Sequence, residues 1–144
     1  MEKSYFRLTS APDPSLVRPE EILEQSLKLM GRKWKKRQND YRYIDEQFRS
    51  MRQDLTVQHI KNGLAVRVYE THARIALEQA DLDQFNQCQT QLHYLYKVNE
   101  GSRIEFLAYK ILYQVFCGME METLRVMKCL TEQEKQTESV SHAL

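Results

Sequence analysis

Five cations crowd around the single tryptophan of this chain: Arg32, Lys33, Lys35, Lys36 and Arg37 flank Trp34, and Arg42 follows. Cations grouped in this way contact phosphates, and an indole among them offers a face on which a nucleobase stacks. A helix end explains the same residues differently. Cations in the last turns complement the negative end of the helix dipole, and Trp34 continues the apolar stripe of Leu27 and Met30, which turns it toward the core. The periodicity favours the second reading for Trp34. Contact with nucleic acid through the lysines and arginines alone stays open.

His72 is the other residue with chemical potential, because it sits on the apolar stripe of a helix. A general base needs a nucleophile and an orienting acid within reach. Glu70 lies only two residues away and projects from a different helical face. The pattern therefore favours a core histidine hydrogen-bonded to a neighbouring helix over a catalyst. His59, His93 and His142 form no ligand-spaced set. Cys88, Cys117 and Cys129 are widely spaced, with neither a Cys-x-x-Cys motif nor zinc-type spacing. They read as small buried hydrophobes in a reducing compartment. With no glycine-rich phosphate loop, serine elbow or paired carboxylates, the sequence points to no enzyme, cofactor, metal or small-molecule substrate.

The string Arg52, Gln53, Asp54, Leu55, Thr56, Val57, Gln58 combines charge with residues that compete for backbone hydrogen bonds. Asp54, Thr56 and Gln58 are read as architectural, setting the angle between the second and third helices, although a direct binding role is a second possibility. Tyr94, Tyr96, Tyr109 and Tyr113 offer rings for base stacking, but such residues more often bridge core and surface between packed helices.

These residues must be positioned by helices. Residues 1–18 read as extended, since Pro12, Pro14 and short polar residues resist helix. Pro19 then suits a first helical turn, with Glu20 and Glu21 at the positive end of the dipole. Leu23, Leu27, Met30 and Trp34 form the stripe of the first helix. A second spans about 40–55 through Tyr41, Ile44, Phe48, Met51 and Leu55. A third, about 63–79, turns Leu64, Val68, His72, Ile75 and Ala76 inward. A fourth, about 82–98, uses Phe85, Cys88, Leu92 and Leu95. Gly101 is available for a left-handed cap before a fifth helix, about 102–117, whose broad apolar face of Ile104, Leu107, Ala108, Ile111, Leu112, Val115 and Phe116 suits a central place. A weaker sixth carries Leu124, Met127 and Leu130. Short connections make successive helices antiparallel, and the pair over 63–98 has a tetratricopeptide-like pattern that no fixed period repeats. The expectation is an all-α, irregular α-solenoid of about six helices in stacked hairpins, with no winged helix. It divides into an extended segment (1–18), a helical stack (19–131) and a polar tail (132–144).

Composition is consistent with this. The hydrophobic fraction is 42%, the charged fraction 28%, and the three prolines all precede residue 20. The net charge is +1, yet residues 1–72 carry 14 Lys and Arg against 10 Asp and Glu, and residues 73–144 carry 7 against 10. That asymmetry would steer an acidic partner weakly toward the first half. No apolar run is long enough to span a bilayer, and no signal-peptide segment follows Met1.

Three blocks carry a family resemblance: Tyr5 to Thr9 with Pro12, Pro14 and Pro19; Tyr41 to Gln58; and Tyr69 to Leu95, with Tyr69, Glu70, His72, Phe85 and Asn86 as its most distinctive members. The segment Phe106 to Tyr113 extends the match over nearly the whole chain. Together they resemble the GANP-type (Sac/GANP/Thp, leukocyte-receptor-cluster-like) family of PCI-domain proteins.

That resemblance implies a non-catalytic scaffold of nuclear messenger-RNA processing or export assemblies, in the nucleus with a cytoplasmic pool. It implies a second PCI-domain protein and a small acidic subunit as partners, with nucleic acid bound by paired winged helices. The chain stops where a further helix pair is expected, so the reading is the amino-terminal half of the domain, as a truncated form, fragment or partial gene product. Two alternatives follow: direct RNA binding through residues 32–42, or a partial product without docking function. In the latter case the apolar end near Leu124, Met127 and Leu130 would favour aggregation.

Overall fold

The computed structural model describes residues 2–5, 14–37 and 39–116 of the chain. Every regular element among them is helical: a short 3-10 turn at Pro14–Leu16, then α1 (Glu20–Lys35), α2 (Tyr41–Val57), α3 (Gly63–Glu78), α4 (Leu82–Leu95) and α5 (Arg103–Phe116). The described residues are all-α, and the serial packing of α1 to α4 is solenoid-like. The expected sixth helix, the tail 132–144, Cys117, Cys129 and His142 lie outside the described residues.

Local chemistry accounts for the helix starts. Asp40 accepts a hydrogen bond from the Tyr43 amide, Asn62 from the amides of Leu64 and Ala65, and Asp81 from that of Gln84. Each side chain satisfies donors that the first helical turn leaves orphaned. Pro19, expected within the first turn, is instead the residue just before it, in extended conformation with ψ 167°.

The ends of α1, α2 and α3 share one device. Arg37, His59 and Ala80 adopt left-handed backbone, with φ of 52°, 56° and 58°. After α2 the Ile60 amide reaches back to Leu55 O at 2.9 Å, and after α3 the Asp81 amide reaches Ala76 O at 2.8 Å. These are the paired closing bonds of a left-handed cap, a position that favours glycine. Ala80 is exposed and has little packing to lose. Ala80→Gly should therefore raise stability by about 1 kcal/mol, read as an upward shift of the urea midpoint.

Gly101 is not left-handed, contrary to the sequence expectation. A Cβ there would lie 2.8 Å from Glu70 Oε2 and from Val66 Cγ1, and 2.9 Å from Tyr96 Cε1. Close approach, not handedness, is what a glycine serves at this position.

The described residues fall into two compact units divided after Gly101. The boundary falls inside the stretch 19–131 that the sequence reading treats as one stack. In the first unit α1 packs on α2, α2 on α3, and α3 most extensively on α4, with α1 also touching α3. Its core holds Leu23, Met30, Ile44, Phe48, Met51, Leu55, Val68, Ala76, Phe85, Cys88 and Leu92, each shielded almost completely from solvent. The inward stripes of α2, α3 and α4 lie on the expected residues except Tyr41, which is half-buried. Residues 2–5 reach onto the helices, where the Lys3 amide donates to Gln47 Oε1 at 2.9 Å and Glu2 pairs with Lys33. In the second unit Phe106, Ala108 and Ile111 are buried, whereas Leu112 and Val115, expected on the apolar face of α5, are exposed.

Candidate functional site

A chain of polar side chains joins α2, α3 and α4 around His72, which is fully buried and stacked on Phe48 with ring centroids 5.2 Å apart. Its Nε2 lies 2.8 Å from Asp45 Oδ1; its Nδ1 lies 3.3 Å from Arg52 Nη1 and 3.5 Å from Cys88 Sγ. A guanidinium only donates, so Nδ1 accepts, and Nε2–H donates to Asp45. The network extends in both directions. Tyr41 donates to Asp81 at 2.6 Å and lies 3.4 Å from Asp45, while Arg52 donates to Gln84 at 3.0 Å and to Gln87 at 3.1 Å.

Burial decides the protonation of this cluster. It pushes His72 below its ordinary value of 6.5, against the opposing effect of the hydrogen bond that the ring donates to Asp45. Burial likewise pushes the Cys88 thiol up to about 12, with the Arg52 charge working in the other direction. Tyr41 is raised as well, by burial first and then by its bond to Asp81.

Cys88, His72 and Asp45 thus have the connectivity of a thiol–imidazole–carboxylate triad without its reactivity. The nucleophile of such a triad is an accessible thiolate, and Cys88 is a fully buried, protonated thiol. What the arrangement does is satisfy polar groups between three helices. Cys88 should accordingly resist iodoacetamide in the folded protein and react only on unfolding, a difference that peptide mass mapping of residue 88 would reveal.

Asp54 lies within α2, fully buried, and gathers the amino-terminal segment. Arg18 Nε donates to its Oδ2 at 2.7 Å and Lys3 Nζ to its Oδ1 at 2.8 Å. The other end of the Arg18 guanidinium donates to Ser50 Oγ at 3.0 Å. Gln58 donates to the main-chain carbonyls of Arg18 and Asp54, and Thr56 Oγ1 to that of Arg52. Asp54 and Gln58 are therefore architectural in a different place from the one expected. They hold the entry to α1 against α2, because the Asp54 carboxylate faces residues 3 and 18 and not the α2–α3 turn.

The remaining motif residues diverge around α3 and α4. Tyr69 is buried beneath the Arg52 guanidinium, 5.5 Å from it, and buried Glu70 accepts from the Tyr96 hydroxyl. Phe85 is in the core, while Asn86 is half-buried and accepts from Gln89 at 2.9 Å.

In the basic run, Trp34 is half-buried and its Nε1 donates to Glu78 at 3.3 Å. The Arg37 guanidinium lies 4.0 Å above the indole and also pairs with Glu78. Trp34 is thus neither a core residue nor an open stacking platform; it straps α1 to α3. Lys33 is engaged by Glu2 at 3.1 Å. Arg32, Lys35, Lys36 and Arg42 stand exposed.

An open cleft of about 500 Å³ lies on the same unit, lined by Tyr5, Arg49, Arg52, Gln53, Thr56, Val57, Tyr69, Gln87 and Gln91. Sequence reasoning did not single out Tyr5, Arg49, Asp45 or Arg18 as site residues. One signal was present: Tyr41, Asp45, Phe48 and Arg52 share a face of α2 at helical spacing, so two charges interrupt an otherwise aromatic stripe.

Helices packed in series and joined by buried polar bonds define an all-α, solenoid-like protein. The whole chain, residues 1–144, matches the SAC3/GANP family. It is 52% identical over 145 residues to a THP3 homolog of Schizosaccharomyces pombe, a match that covers 100% of this chain and 36% of that protein. Identity to SAC3 family protein A of Arabidopsis thaliana is 48% over 146 residues, covering 100% of this chain and 14% of that one. Identity to the leukocyte receptor cluster member 8 homolog of Xenopus laevis is 48% over 143 residues, covering 99% and 18%. This chain belongs to the SAC3/GANP family. It spans 14% to 36% of the length of these three relatives.

Proposed function

We propose that this chain is a non-catalytic scaffold: the helical part, over residues 19–131, of a PCI-type domain serving nuclear assemblies that process or export messenger RNA. One observation carries the reading. The motif side chains Asp54, Gln58, Glu70 and His72 make hydrogen bonds between chain segments in the interior, as a rigid platform requires and as an open reaction centre does not. Family membership supplies the biological setting. A second PCI-domain protein and a small acidic subunit are the partners proposed, with the nucleus as the main site of action.

Pull-down of the tagged chain with a PCI-domain partner, beside a longer form that includes a winged helix, tests the scaffold. Capture by both forms supports docking through the helical stack alone. Capture by the longer form only would sink that reading for residues 1–144.

Exposure of Arg32, Lys35, Lys36 and Arg42 supports a rival, direct RNA contact. That rival requires binding of single-stranded RNA that falls steeply with salt and is lost when these four are replaced by glutamine.

A further inference from the structure

Two arginines of the open cleft, Arg49 and Arg52, form no ion pair among the described residues. Arg49 and Arg52 lie three residues apart on α2 and so emerge on neighbouring turns of one helix face. Each is without a carboxylate partner among the described residues, and no described acidic side chain lines the cleft. By contrast, Arg18, Arg37 and Arg67 of the same unit each hold an acid.

The two guanidinium groups are anchored in different directions. Arg49 rests 4.5 Å over the ring of Tyr5 in the amino-terminal segment. Arg52 turns inward, over Tyr69 and onto Gln84 and Gln87 of α4. Held apart in this way, they suit two separate anionic groups better than one phosphate.

The other walls narrow the choice of ligand. A nucleobase would need an open aromatic face, but Tyr69 is buried and Arg49 lies over the Tyr5 ring. Gln53, Gln87, Gln91 and Thr56 supply amide and hydroxyl groups along the cleft. Such groups both donate and accept, matching the alternating N–H and C=O of an extended peptide main chain. A volume of about 500 Å³ accommodates a few residues.

We infer that this cleft binds an extended segment of a protein partner through two acidic side chains, one on Arg49 and one on Arg52, with the glutamines holding its main chain. The inference rests on the scaffold reading and gives that scaffold a specific docking point.

Fluorescence anisotropy tests it with an array of short synthetic peptides bearing two acidic residues at varied spacing. Glutamine, phosphoserine and carboxyl-amidated counterparts and an oligouridylate complete the set. Acidic peptides should bind the full chain, amidated or not, and their glutamine counterparts should not. Arg49→Gln should weaken binding about tenfold, as loss of a charge-assisted hydrogen bond does, while Arg49→Lys keeps part of it. Because Arg49 makes no hydrogen bond or ion pair among the described residues and rests over the Tyr5 ring, the thermal melt of Arg49→Gln should stay close to that of the parent. Arg52→Gln repeats the test at the second anchor.

Equal binding by parent and Arg49→Gln would overturn the inference. So would dependence on a free terminal carboxylate or on phosphoserine, Arg49-dependent binding of oligouridylate alone, or no peptide binding at all. The pull-down separates the two readings: partner capture without peptide binding removes the cleft alone, and loss of partner capture with intact peptide binding removes the scaffold alone.

Discussion

Replacing Asp54 by alanine is expected to destabilise the first unit by about 3–5 kcal/mol, the cost of removing one partner from a buried ion pair. The carboxylate is 1% exposed, and Arg18, whose charge it answers, is 8% exposed. Without Asp54 the guanidinium keeps its bond to Ser50 but loses this buried ion pair. Lys3 loses its anchor as well but lies nearer solvent, so its share is smaller. Urea unfolding followed by Trp34 fluorescence and by circular dichroism would measure the change as a lowered midpoint. The sharper test is the double variant Asp54→Leu with Arg18→Met. Apolar replacement of a buried pair is commonly neutral or stabilising, so the double variant should recover most of what Asp54→Ala loses. A double variant no better than the single one would mean that packing at residue 54, and not its charge, is what matters.

His72→Ala should cost about 3 kcal/mol, since it removes the ring stacked on Phe48 and strands the Asp45 and Arg52 groups that the imidazole bridges. The same residue sets a pH dependence. Its folded-state value lies below the ordinary 6.5 because burial disfavours the charged ring. Below about pH 6.5 the unfolded chain therefore binds a proton at this site that the folded chain does not. Stability contributed by neutral His72 is complete above about 6.5 and falls as pH drops below it, by up to about 1.4 kcal/mol per unit. The fall continues until pH reaches the depressed folded value. Asp45, Asp81 and Arg52 are the charged groups acting on the ring, and Arg52 reinforces the depression. Urea midpoints of the parent between about pH 5 and pH 7 should slope upward, and the slope should flatten in His72→Gln. An equal slope in the two proteins would place the titrating group elsewhere.

The legibility of this chain in its sequence follows physical range. Helix positions depend on neighbours within four residues: the stripe Leu64, Val68, His72, Ile75 and the caps Asp40, Asn62 and Asp81 are local patterns, and they place α1 to α5 within a few residues of where they lie. His72 was readable as a buried histidine because its stripe is apolar on both sides. Its partner was not readable, because Asp45 lies 27 residues away on another helix. Trp34 followed the apolar period of α1 but was drawn to Glu78, 44 residues on, by its indole N–H.

Asp54 shows the same division. Its residue type and place beside Thr56 and Gln58 suggested a turn, since aspartate often bonds its own backbone. The tertiary structure instead gives it Arg18, 36 residues back, and Lys3, 51 back. Gly101 was read as a left-handed cap from local composition, while its actual constraint is the crowding of Glu70, Val66 and Tyr96.

By itself, then, the sequence determined the all-helical class, the inward faces and the family, because periodicity, capping and extended sequence identity are properties of residues taken in order. The tertiary structure decided which buried groups answer one another and which two arginines are left facing an open cleft. Those outcomes depend on how one helix lies against another, and the alternation of apolar and polar residues along a single helix carries no record of the distance between side chains on two.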